Sequence, residues 1–155
     1  MLRRIRSLLH RPASERFLPL KALFVVAAIR GGLSLLPFPR FHALFERVRT
    51  AMGVRRDMTS VPPKAQLVWA VRAASYYVPS ASCLTQALAA QLLLERYGYP
   101  AHVCIGVAQR GKIQGAFQAH AWVESDGAVV IGESEIDFVP LTTLDKTPRP
   151  LGGYR

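Results

Sequence analysis

Two short segments of this sequence carry residue types that do chemistry together. Ser82-Cys83 heads the apolar run CLTQALAAQLLLERYG, and His120 lies in the alternating segment QAHAWVE. A cysteine at a helix start meets about half a positive charge and a set of unpaired N–H groups. Both favour a thiolate, and the same N–H groups can receive an oxyanion. A lone cysteine is more often just a small buried residue, and a lone strand histidine is more often structural. Together, a cysteine on a helix start and a histidine on a following strand make a nucleophile and its general base. On such a strand His120, Trp122 and Glu124 share one face, so Trp122 either shields the pair from water or simply packs there.

A third member follows from the turn after that strand. Asp126-Gly127 is a strong two-residue hairpin signal. With these two at the centre, Ser125 faces Ala128, Glu124 faces Val129, Trp122 faces Ile131 and His120 faces Glu133. Directly opposed side chains have Cβ atoms about 5 Å apart. Glu133 is therefore the expected acid, accepting a hydrogen bond from His120 and fixing its tautomer. A bulge would shift the register and promote Glu135 or Asp137 instead.

The elements that must position these residues divide into helices first and strands second. Pro19 opens a first helix expected to end near Gly31-Gly32, and Pro37 and Pro39 then break the chain. A second helix, Arg40 to Met52, puts Phe41, Leu44, Phe45 and Val48 on one face and closes at Gly53. A third, Pro62 to Tyr77, spaces Ala65, Val68, Trp69 and Arg72 along one side. The Cys83 helix stops at Gly98. Strands are expected over Ala101–Gln109, Phe117–Glu124 and Ala128–Glu133, with a turn over Arg110–Gly115 and an irregular tail. The expected fold class is α+β, a Cys-bearing helix packed on an antiparallel sheet.

Composition bounds the rest. The chain has 155 residues, 50% hydrophobic and 19% charged. That is one domain's length and too apolar for disorder, and two cysteines make no disulfide framework. Residues 1–72 carry 14 Lys/Arg and 3 Asp/Glu, a balance of +11; residues 73–155 carry 6 and 7, a balance of −1. This asymmetry suggests a basic docking region over 1–60 and a catalytic domain over 61–155. The arginines alternate with apolar residues and no nucleic-acid motif accompanies them, which argues against nucleic acid as a partner. The apolar run Ala22–Ile29 is short of the ~20 residues a spanning helix needs. A cytoplasmic protein is expected, with weak contact to anionic lipid left open. Cys104 is assigned to packing, Trp69, Tyr76 and Tyr77 to core or cleft wall rather than a stacking platform, and His10 and His42 to the surface. His102 and Cys104 share a face but no second pair completes a zinc set, so no metal or cofactor is expected.

The segments CLTQAL (83–88) and AHAWVE (119–124), with Asp126-Gly127 after them, resemble the transglutaminase-like cysteine proteases of lasso-peptide biosynthesis. The size and the basic helical start are similar to the stand-alone peptidase half of their split B protein. The resemblance covers residues 62–142, including Trp69-Ala70-Val71-Arg72 and Phe138-Val139-Pro140-Leu141. It implies Cys83 as nucleophile and His120 as general base. The family usually places an aspartate on the next strand, where this chain has Gly132-Glu133. Papain-type relatives carry an oxyanion-hole glutamine six residues before the cysteine, where this chain has Tyr77.

The resemblance also implies the reaction and the partners. A precursor peptide loses its leader while a small recognition-element protein holds that leader. A separate ATP-dependent lasso cyclase then closes the ring, and no phosphate-binding loop occurs here to do that work. Two other readings compete: an acyl transferase on the same three residues, and a non-catalytic peptide-binding module.

Overall fold

The computed structural model describes residues 17–55, 61–108, 118–134 and 138–144. The expected turn over 110–115 and His10 lie outside the described residues.

Pro19 sits in the first turn of helix α1 (Leu18–Leu35), where its missing N–H costs nothing. The helix runs straight through Gly31-Gly32, where it was expected to stop. Gly32 is a packing notch: a Cβ there would lie 2.7 Å from the Phe41 ring. The end comes instead at Leu36, which is extended, as the residue before Pro37 prefers. Helix α2 (Phe38–Met52) closes at Gly53 with φ +51°. It buries Phe41 and Phe45, stacked 6.0 Å apart, while Leu44 and Val48 from the same expected face remain exposed. His42 is half-buried beside Phe38 rather than on the surface.

Helix α3 (Lys64–Tyr77) and helix α4 (Cys83–Arg96) follow. α4 is buried on nearly every side, from Thr85 through Leu94, because α1 and α3 cover one flank and the sheet covers the other. A helix apolar all round is stable only when enclosed in this way. Core residues from both sides of position 60 join in one cluster: Val26, Ile29 and Phe45 with Leu67, Leu88 and Val123. Arg49 adds a polar tie, bonding Glu46 at 2.8 Å and Glu95 at 2.7 Å, so α2 is held to α4.

The sheet comprises β1 (His102–Ala108), β2 (Ala119–Ser125), β3 (Ala128–Ile131) and β4 (Phe138–Thr143), ordered β3-β2-β1-β4 and antiparallel throughout. Asp126 and Gly127 have φ +53° and +80°, as a two-residue hairpin turn requires. The architecture is α+β, with helices preceding the sheet. β4 replaces part of the expected irregular tail. It holds Pro140, which an edge strand tolerates and a central one does not.

The β2–β3 register departs from expectation after two pairs. Ser125 faces Ala128 and Glu124 faces Val129, but Val123 then faces Ile131, leaving Val130 as the extra residue. The bulge brings Ile131 onto the core face, where it is 1% exposed opposite fully buried Val123. An unbulged strand would have put Ile131 on the other face of the sheet, with Trp122.

Candidate active site

Cys83 is the first residue of α4 and is half-buried. Ser82 caps the helix: its Oγ accepts from the Thr85 N–H at 3.3 Å and meets the Thr85 hydroxyl at 3.1 Å. The Ser82 carbonyl takes the Gln86 N–H at 3.0 Å. With Thr85 completely buried, this end of the helix is fixed in direction. The amides of Cys83 and Leu84 have no acceptor within the helix, as first-turn amides never do. Ser82→Ala removes the cap and is expected to cost about 1 kcal/mol of stability in chemical denaturation.

His120 lies near the start of β2. Its Nε2 is 2.7 Å from the Gly132 carbonyl oxygen. A carbonyl only accepts, so Nε2 carries the proton and donates. In the neutral ring that leaves the lone pair on Nδ1. The imidazole lies against Trp122, with centroids 6.3 Å apart, and Phe138, at 4.9 Å. Two glycines make this possible. Gly106 faces His120 across the β1–β2 ladder, and a Cβ there would come within 2.8 Å of the Trp122 ring. Gly132, with φ +82°, lies so close to β2 that a Cβ would sit 2.8 Å from the Ala121 oxygen. Neither glycine was singled out in the sequence, since a strand glycine shows its purpose only once its neighbour's ring is placed.

Cys83 opens α4, and β1, the strand that pairs with the His120 strand, follows that helix in the chain. The chain reverses at Gly98 (φ +84°), closed by the Tyr99 N–H on the Leu94 oxygen at 2.9 Å. Gln91, in mid-helix, then reaches the Ala101 oxygen at 3.4 Å, just before β1. From Gln91 back to Cys83 is about 12 Å of helix, and from Ala101 on to Gly106 is about 17 Å of strand. Gly106 carries His120 beside it. Alternation sets the sides: Ala121 and Val123 join the core under α4, so His120 and Trp122 lie on the sheet face away from α4, and the structure does not bring His120 to Cys83. No hydrogen bond joins Cys83 to His120 in this structure.

Glu133 was expected opposite His120. After the bulge its carboxylate lies 3.1 Å from Arg72 Nη2, an exposed pair whose arginine also reaches the Val130 oxygen at 3.3 Å. Glu135 and Asp137 lie outside the described residues. Arg72 and Glu133 instead line a groove of about 490 Å³ between α3 and β3, with Lys64, Ala65, Val68, Trp69 and Val130. The side of α3 singled out in the sequence is this groove wall, and Trp69 is 59% exposed on it. Lys64 is held there by the Asp126 carboxylate. Tyr76 and Tyr77, expected in the core or a cleft wall, stand out from the surface, edge to face at 5.5 Å. Cys104 is buried in β1, as a packing role requires. A second cavity of about 390 Å³, lined by Arg49, Met52, Leu92, Glu95 and Tyr99, lies at the far end of α4 from Cys83.

A helix-start cysteine, a strand histidine and an antiparallel sheet against the helix are thus in place. A family model described as the transglutaminase-like superfamily matches residues 32–143. The chain belongs to the transglutaminase-like superfamily. No curated protein and no solved structure matches it. Transglutaminase-like domains are usually catalytic on a Cys-His-Asp triad, and membership fits either a cysteine peptidase or an acyltransferase. Within the matched span of this transglutaminase-like chain there are two cysteines, Cys83 and Cys104. Only Cys83 is at a helix start.

Proposed function

We propose that this protein is a cytoplasmic cysteine endopeptidase that removes the leader from a lasso-peptide precursor. It acts with a leader-binding recognition-element partner, before a separate ATP-dependent cyclase closes the ring. The observation that supports the reading is a capped cysteine at a helix start, together with a strand histidine whose Nδ1 is left as the base, in a chain of the transglutaminase-like superfamily.

In the reaction, His120 Nδ1 takes the Cys83 proton and the thiolate attacks the scissile carbonyl carbon. The resulting oxyanion is received by the first-turn amides of Cys83 and Leu84. The imidazolium gives its proton to the departing amine, which leaves as the core's new amino terminus. Water, deprotonated by His120, then hydrolyses the thioester to a carboxylic acid and restores the thiol. The mechanism requires His120 to reach Cys83 with substrate in place, because in this structure its side chain lies on the sheet face away from α4. The α3–β3 groove, ending one residue from Gly132, supplies the bed for the peptide, with Trp69 as its exposed apolar contact.

The test is mass spectrometry of the precursor incubated with this chain and its recognition partner. Two fragments summing to the precursor plus one water support the peptidase. An amine-linked leader product supports the acyltransferase. Intact precursor beside an unreactive Cys83 thiol supports the binding module and sinks the proposal.

A further inference from the structure

Helix α1 is apolar on two opposite sides, and only one of them faces protein. Leu18, Ala22, Val26 and Ile29 are buried in the core. At about 100° per residue, Leu20, Phe24, Ala27, Ala28, Gly31 and Leu35 fall in a single sector about 100° wide on the far side. This second stripe is solvent-facing: Leu20 is 62%, Phe24 74% and Leu35 83% exposed. A Cβ built on Gly31 meets nothing within 4 Å. The helix has a mean hydropathy of 1.6 with 22% of its residues buried. Apolar helices in water are otherwise enclosed.

The charges around the stripe are of one sign. Residues 17–45 contain Lys21, Arg30 and Arg40 and no Asp or Glu. Lys21 and Arg30 flank the stripe on its two margins, and Lys21 and Arg40 form no ion pair among the described residues.

We infer that α1 lies in the plane of an anionic lipid surface, with the Leu20–Leu35 stripe in the acyl boundary and the cations against lipid phosphates. An interfacial helix has just this pairing of an apolar face with basic margins. The other face packs on α3 and α4, which fits a helix lying on a surface better than one crossing it. A lipid surface fits better than a protein partner because the stripe offers no polar group for directional contact. A fluid apolar phase needs none, and the basic half of the chain supplies long-range attraction to anionic headgroups.

The experiment is co-sedimentation of the full chain with vesicles of phosphatidylcholine alone or mixed with phosphatidylglycerol. The wild type is expected to pellet with the mixed vesicles and to be released by salt. Leu20→Ser/Phe24→Ser, both exposed and so compatible with the fold, is expected to weaken binding about tenfold or more. Lys21→Gln/Arg40→Gln is expected to weaken it on mixed vesicles. Failure of the wild type to bind mixed vesicles overturns the inference. So does full binding by the serine variant, which would make the attraction electrostatic alone. A wild-type dimer that the serine variant abolishes, without vesicle binding, would assign the stripe to a second copy instead.

Discussion

Cys83→Ala is expected to lower precursor cleavage by about a thousandfold or more, because no other group replaces the attacking sulfur. The same substitution at Cys104 tests the alternative nucleophile directly. Cys104 is 3% exposed in mid-strand, so Cys104→Ala creates a small void and a modest loss of stability. Its rate per folded molecule should stay near that of the wild type. Alkylation gives a second readout that needs no substrate: in the native protein iodoacetamide should modify Cys83 and leave Cys104 until the chain unfolds. Persistent cleavage by Cys83→Ala would remove the proposed mechanism, whatever the labelling showed. Equal sluggishness of both thiols, with no cleavage by the wild type, would leave a binding module.

The pieces of this site were unevenly legible in the sequence. Ser82-Cys83 before an apolar run announces a capped helix, and the cap is found at that position. Asp126-Gly127 announces a tight turn, because few other residues accept positive φ at both central positions. The bulge was hidden: Val129-Val130-Ile131 is apolar at every position, so no alternation marks which side chain turns inward. β4 was hidden by Pro140, which argues against a strand unless the strand is known to be at an edge. The glycine pair of α1 was misleading for a related reason. Glycine marks helix ends often, yet Gly32 is there to admit Phe41, a contact between segments that local spacing does not reveal. In each case the missing information was tertiary, whereas the cap and the turn are written within four residues.

That difference bears directly on what holds His120. The unbulged register gave the task to Glu133, while the structure gives it to the Gly132 carbonyl and pairs Glu133 with Arg72. The two groups make opposite predictions. Gly132→Ala places a Cβ 2.8 Å from the Ala121 oxygen and 2.9 Å from the Trp122 Cα, backbone atoms that do not swing aside. It also forces an L side chain to φ +82°. Strain of this kind costs at least about 2 kcal/mol, readable in chemical denaturation. Where the variant is still folded, a carbonyl displaced by about an ångström is expected to lower cleavage about a hundredfold. Glu133→Gln breaks only an exposed ion pair, worth about 0–1 kcal/mol, and is expected to change the rate less than about threefold. Ring nitrogen NMR decides between them without any substrate. Neutral His120 protonated at Nε2 in the wild type and unchanged in Glu133→Gln identifies the carbonyl as the orienting group. A tautomer switch in Glu133→Gln, with collapse of cleavage, would mean that the carboxylate leaves Arg72 to serve the histidine, at the small cost an exposed pair imposes.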